Sequence, residues 1–357
     1  MDRDFENNDA EGTSVGTGPD GHRRRPRYSG THPRKFEEKY KELNPQIDPE
    51  TLAKVMASGK TPAGMHRSIM VAEVIAALEP RPGEVAVDAT LGWGGHAREI
   101  IPLLMPGGRL IGLDCDPLEL PKTEGRLRAA GFGPGRFDVF RTNFSGLPRV
   151  LSEFGLAGVD CVLADLGLSS MQIDNPARGF SVKFDGPLDM RMNPEKGITA
   201  AAWLEKVSPG KLEAVLADDS DEPAAATIAQ AIAGRRFEGT KALGEAIRKA
   251  SGARTREDAD LAVRRVFQAL RIEINEEFKA LESFLRVLPD CLNPGGRVAI
   301  MSFHSGEDRR VKKAFKAGLA DGIYSEVSDE VIRAGAAERR DNPRSAPAKL
   351  RWARRAA

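Results

Sequence analysis

Cysteine is scarce in this chain of 357 residues: Cys115, Cys161 and Cys291 stand far apart and form no CxxC pair. That excludes a disulfide framework and a cysteine zinc site, and two of the three fall in apolar runs that read as core. Long apolar runs are missing too. Nothing approaches the ~20 residues that a spanning helix needs, so membrane insertion is excluded. The N-terminus opens acidic and polar rather than basic and then apolar, which is not the order of a secretory signal; the cytoplasm is the expected compartment. No cluster of His, Cys, Asp and Glu has ligand spacing, so no metal is expected. There is no internal repeat, and a formal net charge of +1 points to no partner for the chain as a whole.

What is present is more than one domain of chain, since ~100–200 residues suffice for one, and a 41% hydrophobic content able to fill a core. Residues 1–60 are rich in Gly, Pro, Asn, Asp and Arg with no apolar period. They read as a disordered polar and basic arm. From His66 the texture changes: Ile69, Met70, Val71, Val74, Ile75 and Leu78 suit one face of a helix. Strand-like runs follow at Glu84–Asp88, Arg109–Asp114, Phe137–Arg141 and Val159–Leu166, with helix-length segments between them. That rhythm predicts parallel pairing in a doubly wound α/β sheet of Rossmann-like type.

The rhythm then stops. From about Gly167 to Ile274 the chain is Ala-rich, charged and helical in pattern, an inserted all-helical domain. Afterwards Phe278, Leu281, Leu285, Leu288 and Leu292 recur at helical steps up to an Asn-Pro-Gly-Gly stop, and Arg297–Phe303 reads as the next strand. The expected organisation is an arm at 1–60, a sheet domain at 61–168 resuming at 274–357, and the insert at 169–273. Basic residues concentrate in two places: ten Lys or Arg against five acids between Arg235 and Arg271, and eight against two from Arg333 onward, a basic C-terminal tail. Each stretch reads equally as a phosphate-binding surface or as a solvated face.

Candidate chemistry sits at strand ends. Asp88 closes the first strand and runs into a glycine-dense turn, LGWGGHA, in which Gly92, Gly94 and Ala97 satisfy the weak GxGxxA fingerprint. A nicotinamide cofactor would bring a pyrophosphate to this turn, where an anionic Asp88 repels it. S-adenosylmethionine carries a sulfonium and an ammonium instead, so the carboxylate favours that donor. Asp114 follows Gly92 by 22 residues, a spacing suited to an acceptor for ribose hydroxyls in either kind of site. Asp116, before Pro117, reads better as a helix cap. Asp165 ends the fourth strand, at the sheet edge where open α/β folds bind ligands.

The strings DLGLSSMQIDNPARGFSVKFDGPLDMRMNP, DATLGWGGHA, VFQALRIEIN, LNPGGRVAIMSFHSGEDRRVKKAF and NPRSAPAKLR closely resemble the bacterial ribosomal RNA small subunit methyltransferase H family, also called MraW, over roughly residues 66–357. The resemblance implies a methyltransferase sheet interrupted by a helical substrate-recognition domain. It implies methylation, from S-adenosylmethionine, of the 4-amino group of a cytidine in the decoding region of 16S RNA, with the RNA or the 30S particle as partner and room for a homodimer. Donor-binding positions of the family fall on Gly94, Gly95, His96, Asp114, Phe144, Asp165 and Gln172, and the turn adds Asp88 and Gly92. Asp165 is the candidate acceptor for the amine, because that nitrogen's lone pair is delocalised and an acceptor aimed at its N–H relieves the developing charge. His304, after the last strand, is the second catalytic candidate.

For RNA contacts the candidates are Arg178, Arg191, Arg265, Arg344 and Arg351. The chain departs from the family pattern at Ser68, where Pro is usual, at residues 219–222 (Asp-Ser-Asp-Glu for YGEE), at 261–267 (LAVRRVF for HPATRTF) and at Gly306 for Leu. The middle two bear on substrate grip rather than on the donor. Three other readings share parts of this pattern: a methyltransferase for another RNA or a small molecule, a nicotinamide-dependent dehydrogenase, and a non-catalytic RNA-binding assembly factor.

Overall fold

The computed structural model describes residues 68–357; the N-terminal arm and His66 lie outside them. Helix α1 (Val71–Leu78) buries Val74 and Leu78, and β1 (Val85–Asp88), β2 (Arg109–Asp114), β3 (Phe137–Arg141) and β4 (Val159–Asp165) follow. Between them run α2 (Gly95–Ile100), α3 (Leu120–Ala129) and α4 (Leu147–Glu153). All four strands pair in parallel. Their residues alternate faces with a period of two and both faces are covered: Val87, Ile111, Leu113, Val162 and Ala164 enter one core, Ala86, Leu110, Cys161 and Leu163 the other.

After the short α5 (Ser170–Asp174), residues 175–199 form 3-10 and turn structure rather than the helix expected there. Then come α6 (Ala200–Lys206), α7 (Pro209–Ser220), α8 (Ala225–Ile232), α9 (Thr240–Ala250) and α10 (Arg256–Asn275). Side chains of Thr199, Ser208 and Thr255 accept from the backbone N–H of Ala202, Lys211 and Asp258 at 3.2, 3.3 and 3.1 Å, fixing where α6, α7 and α10 begin. These helices enclose a third core around Leu204, Leu216, Ile228, Leu243 and Val266.

The chain returns through α11 (Glu277–Cys291) to β5 (Leu292–Ser302), α12 (Ser305–Ala320), β6 (Tyr324–Val327), α13 (Ala336–Asp341) and β7 (Lys349–Arg355). The sheet order is β3-β2-β1-β4-β5-β7-β6, and β7 runs antiparallel to both neighbours. The last part of the basic tail expected from the sequence, residues 349–355, is thus sheet. Leu350 and Ala353 enter the cores on opposite faces of the sheet, a pattern hidden in the sequence because charge outnumbers apolar residues in the segment, yet those charges are used internally: Arg351 Nε donates to Asp308 at 2.7 Å, and Arg355 donates to the carbonyl of Leu292. No helix among the described residues is long and apolar enough to cross a membrane.

One buried ion pair ties α1 to the sheet. Arg297 Nη1 and Nη2 reach the two oxygens of Glu84 at 2.8 and 2.7 Å, and the same guanidinium donates to the carbonyls of Leu78 and Glu79. Removing one partner strands a buried charge. Glu84→Ala is expected to lower the unfolding free energy by about 3–5 kcal/mol in urea denaturation, and the apolar pair Glu84→Leu with Arg297→Met to lower it by less than the single change. A single variant as stable as wild type contradicts the pairing.

Candidate active site

Strand order reverses between β1 and β4, the point at which open α/β sheets bind ligands, and there a cavity of about 1000 Å³ opens at the strands' carboxyl ends. Its floor is the turn after β1. Gly92 and Gly94 have φ of 49° and 83°, the left-handed region that glycine tolerates. A Cβ on Gly94 would come within 2.9 Å of Leu127 and Thr123, and one on Gly95 would collide with the Ser68 hydroxyl. The turn therefore lies as close to its supports as backbone allows. The N–H of Gly92 donates to Asp114 Oδ2 at 2.8 Å, and the Thr123 hydroxyl donates to the carbonyl of Gly92 at 2.6 Å.

Of the donor-site candidates, Gly92, Gly95, His96, Asp114, Phe144, Asp165 and Gln172 line the cavity. Asp88 and Gly94 lie behind it. Asp88 is buried and accepts from the N–H of Thr90 at 3.2 Å. Burial pushes its carboxyl up to about 7 against the opposing pull of His96, so it is not the fixed anion that the sequence reading placed at the mouth of the turn. Phe144 packs against Phe284 with ring centroids 5.3 Å apart. Gln172 is engaged at both ends: its Oε1 accepts from the N–H of Ser169 at 3.0 Å and its Nε2 donates to Asp116 Oδ2 at 2.8 Å.

Asp165 faces the cavity from the end of β4. Its N–H donates to the Thr90 hydroxyl at 2.6 Å, its Oδ1 is buried without a hydrogen-bond partner, and its Oδ2 lies 3.8 Å from His96 Nδ1. His96 Nε2 lies 2.9 Å from the carbonyl of Ile69; a carbonyl only accepts, so Nε2 donates there and Nδ1 is the nitrogen that faces Asp165. Burial, with a smaller contribution from Glu307, pushes Asp165 up to about 7. Burial raises Asp114 as well, against the N–H donors of Asp116 and Gly92.

Several residues that organise the site carried no decisive sequence signal. Asp116, completely buried, accepts from the N–H groups of Leu118 and Glu119 as a cap would, and also from Gln172 and, at 2.7 Å, from Arg178 Nη1. Asn275 binds the 190–192 segment from the insert's last helix, donating to the carbonyl of Met190 at 2.8 Å and accepting from the N–H of Met192 at 2.7 Å. Arg271 holds Glu277 with two hydrogen bonds of 2.7 and 2.9 Å across the α10–α11 junction. A cap-like Asp, and an Arg and Asn inside a helical run, look alike whether they brace a site or a surface.

The remaining candidates separate. His304 is not among the cavity-lining residues; its ring packs 5.7 Å from Phe278 and its Nε2 lies 3.1 Å from Glu307 Oε1, while Glu307 itself reaches the cavity wall and accepts from the N–H of Phe303 at 2.8 Å. Gly306 has a packing reason: a Cβ there would meet Phe278 Cζ at 2.6 Å. Arg178 is buried, bound to Asp116 and to the carbonyls of Arg191 and Met192. Arg351 is buried against Asp308. Arg178 braces a loop and Arg351 ties β7 to α12; neither presents its guanidinium to a strand of RNA. Arg191 and Arg344 line the cavity, paired with Asp189 and Asp174; Arg265, about one third exposed, sits 4.0 Å from Glu222, so the two altered helical-domain segments touch one another.

A glycine turn with no room for side chains and the carboxyl groups of Asp114 and Asp165, the latter with one oxygen unpartnered, form a cradle suited to a ligand that is positively charged, not phosphorylated. With this sheet, the fold and site define an S-adenosylmethionine-dependent methyltransferase. The model of the MraW methylase family matches residues 63–356. Ribosomal RNA small subunit methyltransferase H 1 of Lachnoclostridium phytofermentans is 49% identical over 341 residues, covering 93% of this chain and 93% of that one. The protein of the same name from Agathobacter rectalis is 48% identical over 344 residues, covering 94% and 98%. Ribosomal RNA small subunit methyltransferase H of Chromobacterium violaceum is 40% identical over 315 residues, covering 83% and 97%. The chain belongs to the MraW methylase family.

Carboxyl groups that titrate near neutrality make donor binding proton-linked. Below about pH 7 Asp88 and Asp165 hold protons, and a sulfonium selects the ionised forms, so affinity for S-adenosylmethionine is expected to rise with pH through that range, with protons released on binding. Calorimetry in buffers of different ionisation enthalpy measures the release. Affinity that stays flat from about pH 6 to pH 8 contradicts the linkage.

Proposed function

We propose that this protein methylates the exocyclic 4-amino group of a cytidine in the decoding region of 16S ribosomal RNA, in the cytoplasm, on the RNA or the 30S particle, with Asp165 as the catalytic acceptor. The observation that carries the reading is the Asp165 carboxyl at the cavity wall, one oxygen buried and unpartnered, the other facing His96. The donor supplies an electrophilic methyl carbon on a sulfonium.

Around it this chain's residues hold, orient and exclude water. Asp114 offers spare lone pairs to hydroxyls while its own hydrogen bonds fix the turn, and Phe144 supplies an apolar wall. Asp165 accepts from the amine N–H, keeping the nitrogen lone pair out of conjugation and aimed at the methyl carbon. As the N–C bond forms, the C–S bond breaks with its electron pair going to sulfur, and the amine proton leaves toward Asp165 or solvent. The base reaches the cavity only after leaving its stack. We assign part of the grip on the surrounding RNA to the insert, residues 169–273, through Arg191 and Arg265, and part to Arg344 beside the cavity, the sequence candidates that retain exposure.

The test is nucleoside mass spectrometry of small-subunit RNA from cells with the protein, without it, and with Asp165→Ala. The 4-amino-methylated cytidine is expected in the first sample alone. Purified Asp165→Asn is expected to keep donor affinity within about tenfold while its single-turnover rate falls by a factor of 10² or more. An unchanged nucleoside profile in the deficient cells overturns the assignment.

A further inference from the structure

The turn and its carboxyl groups account for the donor, but they repel the phosphates of a polynucleotide. The helix that follows β5 attracts them. On α12, Arg309, Lys312, Lys313 and Lys316 are exposed, while Val311, Phe315 and Gly318 are buried against the sheet. Steps of three and four residues place the four cations on one side of the helix, over an axial length of roughly 10 Å at 1.5 Å per residue. Lys312, Lys313 and Lys316 have no acidic partner among the described residues. Arg309 reaches only the exposed Asp221, at 3.7 Å.

The helix that carries the stripe begins at the cavity. Phe303 and Glu307 line the cavity, Glu307 from the buried side of the helix, Arg309 opens the exposed side two residues on, and the Ser305 hydroxyl bonds to Asp221 at the end of α7 at 3.1 Å. Other basic stretches are arranged differently. In the insert, Arg248 is paired with Asp260, Arg265 lies by Glu222 and Arg271 is held by Glu277, while the exposed Arg254, Arg256 and Arg264 are interspersed with Glu257, Asp258 and Asp260; in β7, Arg351 is buried on Asp308 and Arg354 approaches Glu79 and Glu326.

We propose that the exposed face of α12 is the track for the ribose-phosphate backbone on one side of the target nucleotide, a proposal that rests on the RNA reading above. Lysines suit it because they are mobile point charges that neutralise phosphate without reading sequence. An anionic membrane surface fits less well, since a helix lying on lipid presents an apolar face and the apolar face of α12 is already in the core.

The test compares K312Q/K313Q/K316Q with wild type for binding to an rRNA fragment containing the target cytidine, titrated with salt. The slope of log affinity against log salt is expected to be shallower by about 2, at roughly 0.7 per phosphate on a single strand. Donor affinity is expected to be unchanged, and KM for the RNA to rise more than kcat falls. R254Q/R256Q/R264Q in the insert controls for net charge and is expected to change the slope less. An unaltered slope in the lysine variant, or an equal change in both variants, overturns the track while leaving the methylation reading intact. So does loss of binding to phosphatidylserine vesicles with RNA binding retained. Wild-type protein that binds no rRNA overturns the substrate reading and the track with it.

Discussion

Asp116 is a carboxylate with no access to water, lying between the strand that ends in Asp114 and the segment that leads into the helical insert. Its four hydrogen bonds go to the start of α3, to Gln172 and to Arg178, and Arg178 passes the connection on to the carbonyls of residues 191 and 192. A buried charge pair contributes little net stability compared with apolar packing, but it is intolerant of misplacement, because each partner left alone is costly. The two halves of the cavity, one from the sheet and one from the insert, are therefore held in a single relative position. Asn275 repeats the device from the other end of the insert, bonding to the same 190–192 segment.

Legibility in the sequence followed the physics of each signal. Strands covered on both faces are dense in apolar residues, so β2 and β3 could be bounded to the residue, and a glycine turn after a strand declares itself. β7 could not be seen, because an antiparallel strand near the sheet's end carries arginines that fold inward onto Asp308 and Leu292. Residues 175–199 were misread as helical for the converse reason: their order comes from side chains of distant residues such as Asn275 and Asp116, which no local window contains.

The arginines make the same point at the scale of single residues. A guanidinium is equally suited to a phosphate and to a loop carbonyl, and composition alone does not separate the two. Arg178 and Arg351 proved to be internal braces, whereas Arg191 and Arg344 border the cavity. What distinguishes them is the burial of the guanidinium itself, since Arg344 too has a buried acid, Asp174, within reach, and that burial depends on topology.

The position of β7 also bears on how the chain matures. β5 and β6 are synthesised before the strand that must lie between them, so until residues 349–355 emerge the parallel sheet ends in an open edge of apolar residues such as Val298 and Ile300. Unpaired edges of this kind seed association between chains. A ribosome that stalls in the α13 region thus leaves a nascent polypeptide whose donor-binding strands are complete but whose flank is adhesive, a natural substrate for chaperones.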